Sequence, residues 1–363
     1  MLKKANDLYV AKKYMPAIKI YAKILKDDAD DFASLANTAT AYFELKKYSD
    51  SIPFFRRVIL MDSTNPWWYN YMSQSLQKCG EFDDALYNAW QAVLHGENDN
   101  AHHLNLAYTI YEISDEKGRK KTDSILKKWY KKYPENQIAE QCYKSYFYDQ
   151  NFSRSNPKYV EELFDVFAPD FDNVLAGLNY DSPKIIAQIL SDFLSSSINE
   201  KITILDLGCG SGLCGKYIKK IFKKSHITGV DISAKMLENA KKKNVYDRLI
   251  KCDIDNCFCN EKYKFDAVVA SDVLTYFGEL DSIFKKVVSI LNEKGVFVFT
   301  VSKNQTNEND YFLMPSSRFV HSYKYVKETI KKYGFDIIKF EEKILRKEGE
   351  KDVFGTDYLI KKR

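Results

Sequence analysis

Hydrophobic positions along this chain follow two different rules. In the first third, apolar residues recur every three or four positions, the period of helices with one buried face. Further on, short apolar runs alternate with helical stretches. Runs at 201–205, 226–230, 249–251, 265–270 and 295–301 read as strands, and helices are expected from 182 to 194, from near Leu213 and over 233–243. Strand–helix alternation of this kind predicts a parallel sheet. Two last runs, 335–340 and 354–360, have no helix-length segment between them and should pair antiparallel.

The first third repeats itself. Tyr14, Tyr48 and Phe82 stand 34 residues apart. In the same register Ala17, Ser51 and Ala85 are small, and Ile18, Ile52 and Leu86 are aliphatic. Upstream, Ala5, Ala39 and Ser73 are small and Leu8, Tyr42 and Leu76 are large. Small residues let paired helices approach, and large ones fill the groove beside them. Turns are expected at Lys12-Lys13, Lys46-Lys47 and Cys79-Gly80. This pattern resembles the tetratricopeptide repeat, with three clear units and a divergent fourth (helices over 103–113 and 122–132, with Trp129 capping the stack) across residues 1–134. The resemblance implies an α-solenoid whose surface receives a protein or peptide partner. Residues 135–158 read as a helical linker ending in a polar stretch with Pro157, and a second domain is expected over 159–363.

Composition adds bounds. The 363 residues are 45% hydrophobic and 29% charged, with net charge +5, enough for two cored domains and too little basic excess to require nucleic acid or membrane. No run reaches the roughly 18 apolar residues of a membrane span. Met1 to Val10 lacks the apolar centre of a signal peptide, so a cytoplasmic protein with reduced thiols is expected. Cys252, Cys257 and Cys259 match no common zinc spacing, and no metal is expected.

The chemistry concentrates in Ile204 to Gly212 (ILDLGCGSG), a strand running into a glycine turn that opens a helix. Glycine permits a tight turn and close ligand approach. Gly210, Gly212 and Gly215 also fit the G-x-G-x-x-G dinucleotide fingerprint, which leaves a nicotinamide dehydrogenase as one reading. Asp206 argues against it. A carboxylate beside the loop repels a pyrophosphate but suits a sulfonium or ammonium. Asp231, at the next strand end, suits ribose hydroxyls of either ligand.

With Thr228 to Leu237 (TGVDISAKML) and Phe265 to Asp272 (FDAVVASD), these segments resemble class I S-adenosylmethionine-dependent methyltransferases, over about residues 159–363. The repeats upstream, and Ser317 to Ser322 (SRFVHS), are similar to a bacterial group of repeat-bearing methyltransferases. The resemblance implies a helical solenoid followed by a Rossmann-like, seven-stranded sheet closed by an antiparallel pair. It implies S-adenosylmethionine as cofactor, held by Asp206, Gly208, Cys209, Gly210, Gly212, Asp231, Ile232 and Met236. Asp253 and Ile254 would flank adenine, Ser271 would lie near the methyl donor, and Phe164, Phe171 and Tyr180 would form a lid. No [D/N]-P-P-[Y/F] sequence follows the fourth strand, which speaks against nucleic-acid bases as acceptors.

Candidate catalytic groups are His321, Tyr276 and Tyr180, with His321 first because its ordinary pKa lies near neutrality. Tyr180, Arg318, His321 and Arg346 are candidate acceptor-binding residues, the arginines suiting a carboxylate or phosphate. The acceptor expected is a small, acidic molecule or a protein docked on the repeats. The alternative is a scaffold that senses the cofactor without turnover.

Overall fold

The computed structural model describes all residues except 114–118, 148–151, 178–179, 259–262, 306–308 and 349–350, and the side chains of 119 and 351. The chain divides into two compact units, Met1–Glu140 and Gln141–Arg363.

The first unit is helical. Its elements are α1 (Leu2–Val10), α2 (Tyr14–Asp27), α3 (Phe32–Glu44), α4 (Tyr48–Met61), α5 (Pro66–Lys78), α6 (Phe82–His95), α7 (Asn100–Ile113) and α8 (Arg119–Lys132). A ninth helix, α9 (Gln137–Phe147), carries the division between the units. The expected linker is therefore partly helix, and its last described residues belong to the second unit.

The backbone of this unit repeats with its sequence. Helices α2, α4 and α6 begin at residues 14, 48 and 82, and α3, α5 and α7 at 32, 66 and 100, a step of 34 in both series. Lys12, Lys46 and Gly80 all take a left-handed φ. Each is followed by a residue whose N–H returns to the preceding helix: Lys13 to Leu8, Lys47 to Tyr42, Glu81 to Leu76, at 2.8 to 2.9 Å. This helix stop satisfies carbonyls that would otherwise be orphaned. The small positions Ala5, Ala17, Ala39, Ser51, Ser73 and Ala85 are all fully buried. Trp129 is also fully buried, its indole N–H donating to Nδ1 of His103 at 2.9 Å. Residues 114–118, in the loop expected to break the period, lie outside the described residues.

In the second unit, α10 (Pro157–Phe167), α11 (Phe171–Gly177) and α12 (Ser182–Phe193) precede β1 (Thr203–Leu207), α13 (Leu213–Ile221), β2 (His226–Asp231), α14 (Ala234–Lys242), β3 (Arg248–Lys251) and β4 (Phe265–Ala270). Then come α15 (Asp281–Ile290), β5 (Leu291–Ser302), β6 (Tyr311–Leu313), β7 (Phe319–His321), α16 (Tyr323–Lys332), β8 (Phe335–Glu348) and β9 (Lys351–Lys362). The seven-stranded sheet has the order β3-β2-β1-β4-β5-β9-β8. The first five strands are parallel, and β9 runs antiparallel to both β5 and β8. The order reverses between β1 and β4, so ligands are expected outside the carboxyl ends there.

Alternation along β5 places its two faces. Val296 and Val298 join a core with Ile186, Ile189 and Leu190 of α12 and Ile218 of α13. Phe297 and Phe299 stack on each other, with Phe284 of α15 edge-on to both. Strands β6 and β7 form a separate two-stranded sheet that the hydrophobic pattern did not indicate. Among the described residues, no helix is long and apolar enough to cross a membrane.

Candidate functional site

Strand β1 runs two residues past its expected end, so Asp206 lies inside the strand and is fully buried. Its Oδ2 accepts the Tyr246 hydroxyl at 2.7 Å, while Oδ1 has no hydrogen-bond partner. Burial pushes its pKa up to about 7, with Asp231 adding to the rise and the Tyr246 hydroxyl opposing it.

Asp231 ends β2. Its Oδ2 accepts the Gly210 N–H at 2.8 Å and its Oδ1 the Ser233 N–H at 2.9 Å. These bonds lower its pKa, but burial wins and holds it at about 6. Among the described residues, no cationic side chain pairs with either acid, and each carries the desolvation penalty of its charged form.

The glycine loop bridges the two acids. Gly208, Gly210 and Gly212 all have positive φ. A Cβ on Gly208 would meet Val273 Cγ2 at 2.4 Å. Gly215 belongs to a different contact. A Cβ there would fall 2.3 Å from Cζ of Tyr246, whose hydroxyl also accepts the Gly215 N–H at 3.2 Å. The third glycine of the dinucleotide-like spacing thus admits the ring that holds Asp206. Cys209 is buried beside the loop, and burial pushes its thiol well up. Ile232 is half-buried and Met236 fully buried at the start of α14, where Ser233 caps the helix.

Helices α10 and α11 close over this edge. Ser233 Oγ donates to Asp165, and Asn239 of α14 donates to the Ala168 carbonyl at 2.6 Å. Asp172 accepts from Ser211 and from Lys243, the latter at 2.6 Å. Phe171 Cε1 stands 3.9 Å from the Cβ position of Gly210. Phe164 packs edge-on to Phe171 at 6.0 Å and to Tyr276 at 5.5 Å. Of the three aromatics expected as a lid, Phe171 lies against the loop and Phe164 packs on Phe171, with Asp165 and Asp172 fastened beside them; Tyr180 lies apart, near Ser271 and Asp272.

After β3, Asp253 caps the short turn Ile254–Asn256, with Ile254 buried. After β4, Ser271 Oγ is buried beside the Tyr180 hydroxyl, and Asp272 takes a left-handed φ of 55°. Arg346 of β8 donates through Nη1 to both oxygens of Asp272, at 3.1 and 2.9 Å. Tyr180 lies in the field of both: burial is the main cause raising its pKa, Asp272 adds to the rise, and Ser271 and Arg346 oppose it. Arg346, expected as a clamp for the acceptor, is thus already paired.

His321 departs furthest from expectation. It is buried at the end of β7, stacked on Tyr325, with Nε2 donating to the Gly278 carbonyl at 3.1 Å. Burial lowers its pKa to about 4. This is the setting of a neutral core histidine, against the expectation of a base titrating near neutrality. Tyr276 is also buried, and Arg318 sits half-buried in the β6–β7 turn. Among the described residues, no group of His, Cys, Asp and Glu could hold a metal ion, and Cys259 lies outside them.

Tyr246, Arg154, Asp165, Asp172, Lys243 and Asp272 were not legible as site residues. They act through contacts 31 to 101 residues away in sequence, and no local spacing announces them.

Residues 204–295, from β1 into β5, match a protein-family profile described as a methyltransferase domain. The chain carries an S-adenosylmethionine-dependent methyltransferase domain. It is 33% identical over 121 residues to a malonyl-[acyl-carrier protein] O-methyltransferase of Priestia megaterium, covering 33% of this chain and 43% of that protein. A protein of the same description from Acetivibrio thermocellus is 30% identical over 146 residues, 39% of this chain and 51% of that one. The chain spans about half the length of these curated relatives. A solved methyltransferase from Clostridium acetobutylicum aligns over 55% of this chain and 99% of its own at 21% identity, with a TM-score of 0.41.

The methyltransferase domain's edge suits its cofactor. S-Adenosylmethionine carries a sulfonium and an ammonium and no phosphate. Among the described residues, Asp206 offers a buried oxygen without a hydrogen-bond partner, and burial raises its pKa.

Proposed function

We propose that this chain transfers a methyl group from S-adenosylmethionine to an acidic acceptor, small or carried on a protein, in a cytoplasmic setting. The observation that carries the first half is the pair of buried acids, Asp206 and Asp231, bridged by the glycine loop, with no cation paired to either among the described residues.

In this reading Asp206 and the backbone of Gly208, Cys209, Gly210 and Gly212 hold the methionine part, and Asp231 with Ile232 holds the ribose. Met236 packs beneath, Asp253 and Ile254 hold adenine, and Ser271 lies beside the methyl donor. Phe164 and Phe171 exclude water above the loop. When bound, the cofactor supplies a methyl group already activated on a sulfonium. The chain's task is then to orient the nucleophile and keep water out, which can supply roughly 7–11 kcal/mol.

The acidic acceptor is supported by what the site lacks. A base is needed only for an acceptor that arrives protonated. His321 is buried and neutral, and burial raises the Tyr180 phenol, so neither offers a ready base at neutral pH. A carboxylate needs none. The named relatives act on malonyl-[acyl-carrier protein], which fits the same chemistry. Tyr180 and Ser271 would face such an acceptor, with Arg346 presented from its pair with Asp272.

The helical unit reads as tetratricopeptide repeats. Support comes from the common step of 34 residues in sequence, helix starts and left-handed turns. Its role in this proposal is to bind a protein or peptide partner. The cysteines among the described residues are free thiols, in keeping with a reducing compartment.

The test is calorimetry with S-adenosylhomocysteine followed by a methyl-transfer assay on dicarboxylates and their carrier-protein thioesters. Binding with transfer supports the proposal. Absence of binding overturns it, and binding without transfer to any acceptor returns the cofactor-sensing scaffold.

A further inference from the structure

Arg154 lies in the short stretch before α10, and nothing in its sequence neighbourhood marks it. In the structure it joins two loops at the carboxyl edge. Its guanidinium pairs with Asp253 at 3.1 Å through Nη2 and with Asp255 through Nη1. It also lies over the Phe277 ring, 4.6 Å from the centroid. The flanking backbone is fastened to the loop after β4. Ser153 O accepts from the N–H groups of Gly278 and Glu279 at 2.8 and 2.7 Å, and Ser155 N–H donates to Tyr276 O at 2.9 Å. A second cation braces the turn after β3 from the far side: Lys286 of α15 donates to the carbonyls of Asp255, at 2.9 Å, and Cys257.

The charge placement is selective. Both hydrogen bonds that the Asp253 side chain accepts among the described residues, from Arg154 and from the Asp255 N–H, fall on Oδ1. Oδ2 is the oxygen left to face a ligand. A carboxylate held this way is an acceptor only. It suits an exocyclic amine, which donates, and repels a carbonyl at the same place.

Resting on the reading that Asp253 meets adenine, we infer that Arg154 is a positioning residue that makes the site specific for a 6-amino purine, through the Arg154–Asp253 pair clamped over Phe277. The Arg154 guanidinium is engaged by Asp253, Asp255 and Phe277. It fixes the orientation of Asp253, and through Ser153 and Ser155 it ties that orientation to the loop bearing Tyr276. A bidentate, stacked arginine of this kind is not replaced by lysine without loss.

The experiment is calorimetric binding of S-adenosylhomocysteine and of its 6-oxo analogue, S-inosylhomocysteine, to the full chain and to Arg154→Gln, Arg154→Lys and Asp253→Asn. The native protein should prefer the amino form by roughly ten- to a hundredfold, the size of one hydrogen bond to a charged group. Arg154→Gln should bind the amino form less well and lose most of that preference. Arg154→Lys should keep part of it. Asp253→Asn, which retains the Arg154 contacts to Asp255 and Phe277, should lose the preference, and adding Arg154→Gln to it should cost nothing further in discrimination. The inference is overturned if either single variant keeps the native preference, or if Arg154→Gln weakens both ligands equally, which is the mark of a purely structural role. Should Arg154→Gln fail to fold, Arg154→Lys and Asp253→Asn decide alone. A native protein that binds neither ligand brings down the methyltransferase reading itself, an outcome distinct from binding both equally.

Discussion

The two ends of one sheet edge treat their acids in opposite ways. Around the glycine loop, Asp206 and Asp231 are buried without a cation among the described residues, and burial raises their pKa values to about 7 and about 6. Around β4, β5, β8 and β9, the acids have internal partners: Asp272 holds Arg346, and Asp357 holds Lys343 and accepts the Thr300 hydroxyl at 2.7 Å. A fold that needed both ends only for stability would have paired both, since an unpaired buried charge is costly. The difference fits the proposal that the first end receives a positive charge from outside, while the second end pairs its acids internally.

The largest effect on stability should come from breaking the internally paired end. Arg346→Ala leaves the half-buried Asp272 unpaired, and the unfolding free energy should fall by about 2 kcal/mol in denaturant titration. Binding of S-adenosylhomocysteine by the protein that remains folded should hardly change. A large loss of binding with little loss of stability would reverse the comparison. At the other end, Asp231→Ala removes the acceptor for the Gly210 and Ser233 N–H groups as well as the proposed ribose contact. Calorimetry should show roughly a hundredfold weaker binding, and unchanged affinity would remove Asp231 from the ribose.

The pH dependence sharpens the contrast. Asp206 and Asp231 bind protons more tightly folded than unfolded. Their stabilising contribution is complete below the unfolded carboxylate range and is lost as pH rises through about 6 and about 7. The melting temperature of the ligand-free protein should record that loss, and Asp206→Asn should flatten it. Cofactor binding should move the other way, strengthening as pH rises across the same window, because a cation prefers the ionised acids. His321 works in the opposite sense. Its folded pKa of about 4 lies below the ordinary value, so its contribution is present above about 6.5 and is lost as pH falls toward 4. His321→Phe should reduce acid sensitivity without abolishing transfer. The smallest effect is expected far from either end: Lys46→Gly relieves a left-handed lysine and should stabilise the helical unit by about 1 kcal/mol.

Much of the architecture could be read because it is periodic or local. The βα alternation, the closing antiparallel pair and the 34-residue step all follow from spacing alone. The glycine loop and both acids could be placed because they lie next to strand ends. What escaped is tertiary. Tyr246 reaches Asp206 from 40 residues away, and Gly215 looked like part of a nucleotide fingerprint because the ring it accommodates is invisible in sequence. His321 drew attention by its residue type, yet burial decides its chemistry. Arg346 was singled out for its charge, but that charge is engaged by Asp272, which was passed over. The end of β1 was set too early, which moved Asp206 from inside the strand to its end. Residues 114–118, in the loop expected to break the repeat, lie outside the described residues.

The left-handed turns of the helical unit have a consequence for its evolution. Lys12, Lys46 and Gly80 occupy one backbone state at one step, and each turn closes through the same pair of bonds onto its own helix. A genetic duplication or deletion of one 34-residue module would join ends already in matching conformations, so the length of this region can drift between descendants without any junction having to be reinvented.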